Sequence, residues 1–301
     1  LIENLRAGAM DFQSGGSTDY PVLDTRIPSL GLRRSARLPL VSVLYSELKR
    51  PILLLTDKTD RALTLMDELA LIAPDTPRFF FPEPNPLFYE DAPWGETTKR
   101  ERLSLMTILA AHHISAGRDG LIDPIIISPA RALMTRTLPL QEFLKAILII
   151  QEGQILPPES LIQHLVEIGY EPVNTVIAAG QFARRGGIID IWSPSEELPL
   201  RLEYFGDEID SLRLFDPATQ RSTTRVEQVA VSPAREYLLS MRSRHSSGFD
   251  FKPPSEFHIP LLHPDPACLI DFLPRDSLVL IDNLEDLRST ILEIEEQAVK
   301  M

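Results

Sequence analysis

Residues 51–81 read PILLLTDKTDRALTLMDELALIAPDTPRFFF, and their order decides the fold class. Pro51 to Thr56 is a continuous apolar run too short for a helix, as is Arg78 to Phe81, while Asp60 to Leu71 between them is apolar at helical spacing. A buried strand, a crossover helix and a second buried strand make the unit of a parallel sheet. Working outward, the spacing predicts a helix over Leu40 to Leu48 and another over Thr98 to His112, whose polar face carries Lys99, Arg100, Glu101 and Arg102. Pro124 to Ser128 (PIIIS) is a further buried strand, with a short helix opening at Pro129 to Leu133. Pro82 to Pro93 is a proline-rich loop. The aromatics Phe88, Tyr89 and Trp94 around it read as loop packing rather than as a stacking platform for bases, since few cations lie near them.

The texture changes near Thr137. After a strand at Ala146 to Gln151 and a helix at Pro158 to Ile168 comes an antiparallel-looking series, Val173 to Val231. Its runs Ile188 to Trp192, Leu200 to Phe205, Ile209 to Phe215 and Val226 to Val231 are separated by turn signals at Gly186-Gly187, Ser193-Pro194, Gly206-Asp207 and Asp216-Pro217. Within it, Leu200, Leu202 and Tyr204 alternate with Arg201 and Glu203, as in a half-buried strand. Pro233 to Pro266 reads as a loop or linker. Cys268 to Leu273, Ser277 to Asp282 and a final helix from Leu284 then return to the opening style. A small α+β domain inserted into a parallel-sheet α/β domain explains this layout. The expected division is a partly disordered extension over 1–29, the first half of the sheet domain over 30–136, the insert over 137–219 and the second half over 220–301.

A length of 301 residues accommodates about two domains. A net charge of −13 argues against a broad nucleic-acid face, because such binding draws on Lys and Arg displacing phosphate counterions. No apolar run approaches membrane-spanning length, and Cys268 has no cysteine to pair with, so a reducing cytoplasm is expected, with no membrane partner and no zinc site. Leu1 to Tyr20 lacks the features of a signal peptide. Leu1 in place of an initiator Met, and a last helix without a terminator, suggest an excised piece, the alternative being a natural subunit with a processed N-terminus and a frayed last helix.

The segment Gly31 to Leu38 has the outline of a phosphate-binding loop without its chemistry. In the pattern G-x-x-x-x-G-K-[ST], glycines let backbone N–H groups wrap phosphates, Lys reaches the outer phosphates and a hydroxyl binds Mg²⁺. Here Gly31 remains, but Ala36, Arg37 and Leu38 hold the other three positions. The matching acidic pair is Asp282-Asn283, whose second member is an amide and cannot act as a base. On these residues alone an unrelated basic loop is the simpler reading. No catalytic residue and no metal ligand set is assigned.

Two blocks carry a resemblance. Gln181-Phe182-Ala183-Arg184-Arg185-Gly186-Gly187-Ile188-Ile189-Asp190-Ile191-Trp192 and Leu200-Arg201-Leu202-Glu203-Tyr204-Phe205-Gly206-Asp207-Glu208-Ile209-Asp210-Ser211-Leu212-Arg213, with Phe215-Asp216 and Thr219-Gln220-Arg221, resemble the N-terminal module of the transcription-repair coupling factor (Mfd) family. That module is itself similar to the first part of the excision-repair protein UvrB. The resemblance runs over roughly Leu30 to Leu292. It implies a degenerate RecA-like, P-loop NTPase-like domain that has lost nucleotide hydrolysis, and an insert that binds UvrA. It further implies that the parent protein is an ATP-dependent DNA translocase whose motor, with its ATP and Mg²⁺, and whose contacts with RNA polymerase and double-stranded DNA lie beyond residue 301. No cofactor is expected in this chain, and an intramolecular contact with the parent's C-terminal domain is implied.

By this resemblance the family's UvrA-binding surface maps onto Arg184, Arg185, Trp192, Arg201 and Glu203, while Glu171 departs from a turn where coupling factors and UvrB commonly have a basic residue nearby, and Ala183 replaces an arginine of UvrB. Beside that reading stand plainer ones: a solvated turn at Arg184-Arg185, a core Trp192 and an ordinary surface pair at Arg201 and Glu203. The alternative function is a UvrB-like excinuclease subunit with an active ATP site.

Overall fold

The computed structural model describes residues 29–87, 89–115, 117, 120–238 and 254–299. The extension before residue 29, Phe88, the middle of the stretch after Pro233 and Lys300 lie outside the described residues. The described residues fall into two compact units, one drawn from 29–80, 123–127 and 274–299, the other from those within 81–122, 128–238 and 254–273.

The first unit is built on a four-stranded sheet. Its strands β1 (Ile52–Thr56), β2 (Arg78–Phe80), β3 (Ile125–Pro129) and β12 (Leu278–Ile281) lie in the order β12-β1-β3-β2. β12 runs parallel to β1 and β2 parallel to β3. Every residue of β1 and β3 is buried, as strands covered on both faces require. Helix α1 (Arg34–Leu48) contributes Leu38, Val41 and Leu44 to the core, and α2 (Thr59–Ile72) contributes Ala62, Leu65 and Leu69. Burying each leucine in full contributes about 1.5–3 kcal/mol. α1 starts at Arg34 rather than at Leu40, with Pro39 inside it. The spacing Leu38, Val41, Leu44 sets its buried face, and a proline this near the start removes a single backbone bond. The closing helix α9 (Leu284–Val299) buries Leu287 and Thr290.

The second unit contains α3 (Glu96–Ile114), α4 (Ala130–Met134), α5 (Leu140–Ala146), α6 (Pro158–Glu167), α7 (Ile259–Leu262) and α8 (Leu269–Phe272). Its six-stranded sheet has the order β10-β9-β8-β7-β6-β5, made of β5 (Glu171–Pro172), β6 (Gln181–Arg185), β7 (Ile188–Ile191), β8 (Leu200–Phe205), β9 (Glu208–Phe215) and β10 (Ser222–Arg225). From β6 to β10 the pairing is antiparallel. A separate antiparallel pair joins β4 (Leu148–Gln151) to β11 (Gln228–Val231). One face of the large sheet, with Phe182, Ile189, Ile191, Leu200, Leu202, Ile209 and Leu212, shares a core with Leu161 and Leu165 of α6 and with Ile150, Val229 and Val231. One reading changes here, since Ala146 closes α5 rather than opening a strand. Cys268 to Leu273 holds the helical turn α8, and Ser222–Arg225 is a strand passed over in the sequence because its four exposed polar residues carry no apolar signal.

Arg102 also departs from its expected solvated place. It is fully buried on α3, with Nε 2.6 Å from Glu236 Oε1, Nη2 2.9 Å from Oε2, and Nη1 donating to the carbonyl of Pro82 at 3.1 Å. Its guanidinium carbon lies 4.1 Å from the ring centroid of Phe81 and 4.8 Å from that of Trp94. A bidentate fork and two aromatic faces offset the cost of taking both charges out of water. Trp94 is thus packed inside the protein, as the loop reading had it.

Candidate functional site

The strand alternation of the six-stranded sheet sorts the candidate residues. Directly opposed residues share a face, so the register places Ala183, Asp190, Arg201 and Arg213 in one row and Arg185, Ile188, Glu203 and Ser211 in the next, both on the side away from the main core. Arg185 and Arg201 are joined through Asp190. Arg201 donates from Nε to Asp190 Oδ1 at 2.7 Å and from Nη2 to Oδ2 at 2.9 Å, and Arg185 Nη2 lies 3.6 Å from the same carboxylate. The hydrogen bonds it donates to Asp190 raise the Arg201 pKa further, so its charge is permanent. Arg201 also stacks over the Phe215 ring at 4.6 Å and reaches the Gln220 carbonyl at 3.2 Å. Glu203 accepts from the Ser211 hydroxyl at 2.8 Å.

Arg201 is mostly covered and serves as the internal support of the face, whereas Arg185, whose side chain is 49% exposed and whose Nη2 also donates to Gln220 Oε1 at 3.4 Å, is its outer fork. Trp192 lies half-buried in a small apolar cluster with Val176, Ala183 and Phe215, its indole N–H donating to the Glu196 carbonyl at 3.2 Å. It is part support and part surface. Arg184 is not with the others. It shares the core side with Phe182, two residues before it, and pairs with Glu159 of α6 at 2.9 Å, a hydrogen bond that lowers the Glu159 pKa. The alternation from Phe182 already carried that placement. Asp190 was missed as a member of the site. Its signal was a lone acid in an apolar strand facing Arg201 on the next one.

Beyond the sheet, the phosphate-loop positions are closed. Gly31 holds a left-handed φ of +58°, and Ala36, Arg37 and Leu38 lie inside α1 rather than in a loop. Leu38 is buried in the core. Arg37 Nη1 lies 2.9 Å from Asp282 Oδ1, and Arg61 Nε lies 2.7 Å from Asp282 Oδ2. Asn283 turns to Asp286, donating at 2.5 Å. Both oxygens of the remaining carboxylate are therefore taken by arginines. Among the described residues no cluster of His, Cys, Asp or Glu has the make-up of a metal site, and no helix is long and apolar enough to cross a membrane.

Residues 148–237 match the model of the UvrB interaction domain, a span running from β4 through the six-stranded sheet to Tyr237. Over 306 aligned residues, 90% of the chain, it is 28% identical to the transcription-repair-coupling factor of Bacillus subtilis (strain 168), and over 227 residues it is 31% identical to that of Myxococcus xanthus. The chain is a homologue of the transcription-repair-coupling factors. The Escherichia coli (strain K12) coupling factor is 29% identical over 62% of the chain. Against the Bacillus subtilis, Myxococcus xanthus and Escherichia coli coupling factors, the chain spans 25%, 18% and 15% of the relative's length. The matched domain contains Arg184, Arg185, Trp192, Arg201 and Glu203, together with Asp190.

Proposed function

We propose that this chain is the UvrA-docking part of a transcription-repair-coupling factor, recruiting UvrA to RNA polymerase stalled at DNA damage. The observation that carries this reading is the match of the UvrB interaction domain onto a sheet whose outer face presents Arg185 beside the Arg201–Asp190 fork. An exposed guanidinium held by a buried carboxylate is pre-organised for bidentate pairing with a partner's acid. Motor activity, polymerase binding and double-stranded DNA binding belong to other parts of a longer protein, and the intramolecular contact with its C-terminal domain is part of the same proposal.

The first unit is, in this reading, a degenerate RecA-like domain. Mg²⁺ and ATP do not fit the residues present. Leu38 offers no oxygen, Asp282 is saturated by Arg37 and Arg61, and Asn283 supplies no base. No feature of the site favours the UvrB-like ATPase alternative, and no cofactor is assigned to this chain.

Calorimetric titration of the chain with purified UvrA tests the docking role. Arg185→Glu, at an exposed position, is expected to weaken binding at least tenfold while the far-UV spectrum and Tm stay as in the parent. Unchanged affinity in that variant would place the interface elsewhere. Arg201→Glu is a poorer probe, because it sets two carboxylates against each other at Asp190, whose side chain is 2% exposed.

A further inference from the structure

The face continues past its arginines to the tip of the β8–β9 hairpin, where two large apolar side chains stand in water. Phe205 is 82% exposed and Ile155 is 76% exposed. Both are directly opposite Glu208, Phe205 across the hairpin and Ile155 through a bridge on the far edge of β9, so the three form one row on one face. Phe205 follows Glu203 by two positions on β8, which makes this row the neighbour of the one holding Arg185 and Glu203. The tip is held firmly. Leu156 N–H donates to Asp207 at 2.9 Å, Gly153 N–H to Ile209 at 2.8 Å, and Ile209 N–H to Gln154 at 3.0 Å.

We propose that Phe205 and Ile155 are the apolar anchor of the UvrA contact, seated in an apolar pocket of UvrA whose rim bears a basic side chain opposite Glu208 and a carboxylate opposite Arg185. The proposal rests on the docking role assigned to residues 148–237. An aromatic residue fixed in a rigid turn loses little freedom on burial, and such residues carry a large share of interface energy. Charge selects the occupant. Asp207, Glu208 and Asp210 crowd the tip with exposed carboxylates, which repel a phosphate backbone and exclude nucleic acid. A second copy docked tip to tip would set those same carboxylates against each other. A protein surface with a basic rim satisfies both halves of the row.

Titration of the chain and its variants against UvrA tests the anchor. Phe205→Ala is expected to lose about tenfold or more in affinity, Ile155→Ser severalfold and Glu208→Lys severalfold, while Phe205→Leu keeps most of the binding. Leu71→Ser, on the other unit and at a side chain 85% exposed, is expected to bind as the parent does. Parental affinity in Phe205→Ala with loss in Arg185→Glu overturns the anchor and leaves the docking role standing. No binding by the parent chain overturns both. Concentration-dependent self-association abolished by Phe205→Ala, with UvrA affinity unchanged, makes the tip a self-interface and also overturns the proposal. Should Phe205→Ala fail to fold, Phe205→Leu decides, because a tenfold loss there would contradict an apolar pocket.

Discussion

At Asp282 two opposing influences meet. Burial alone pushes its carboxyl up, but hydrogen bonds from Arg61 and Arg37, with their charges, hold it below the usual carboxylate range. A carboxyl whose folded pKa lies below its unfolded value, about 3.9, stabilises the fold above that value and loses the contribution as pH falls through the folded pKa. Asp282→Asn is therefore expected to cost about 2 kcal/mol at pH 7. That deficit should shrink as pH drops below about 4, which thermal melts across the acid range would read directly; a pH-independent deficit would assign the loss to packing. Which residues meet here was half legible. Asp282 and Arg37 stood out as remnants of a nucleotide site, and the structure joins them to each other. Arg61 carried no signal, because its spacing on α2 is that of any solvated residue and its partner lies 221 positions away. Arg102 misled for the opposite reason, since a charged residue among charged neighbours reads as surface until its buried partner is known.

Among elements, the two hairpins of the proposed face share one device. Gly186 and Gly206 each take the first position of a two-residue turn with φ of +61° and +66°, the conformation a type II′ turn asks of glycine. Gly186→Ala is expected to destabilise the fold by about 1 kcal/mol through backbone strain alone, because no atom lies within 4 Å of the added Cβ. A lowered urea midpoint with an unchanged slope would register it, and an unmoved midpoint would refute the strain account. These turns, and the apolar runs between them, were readable because each is local. The start of α1 and the end of α5 were not, as Pro39 and Ala146 are poor markers inside patterns that packing extends.

For the whole molecule, the layout of an α+β segment within a parallel-sheet chain was visible as a change of texture, while the association of residues 81–122 with the second unit was not, since helix α3 follows the pattern of its predecessors. The main core of the second unit draws its members from Ala146 to Val231. A piece spanning 146–238 is therefore expected to fold alone, giving dispersed amide resonances and a cooperative melt; a collapsed spectrum would show that Arg102 and α3 are required. The order of the first sheet adds a temporal consequence. Arg37 and Asp282 are 245 positions apart, so on a ribosome adding about 5–20 residues per second the arginine waits about 12–50 s for its counter-charge. The nascent chain thus completes the segment proposed to meet a partner before it can close the sheet that began first, and the proposed docking face is the earlier of the two to mature.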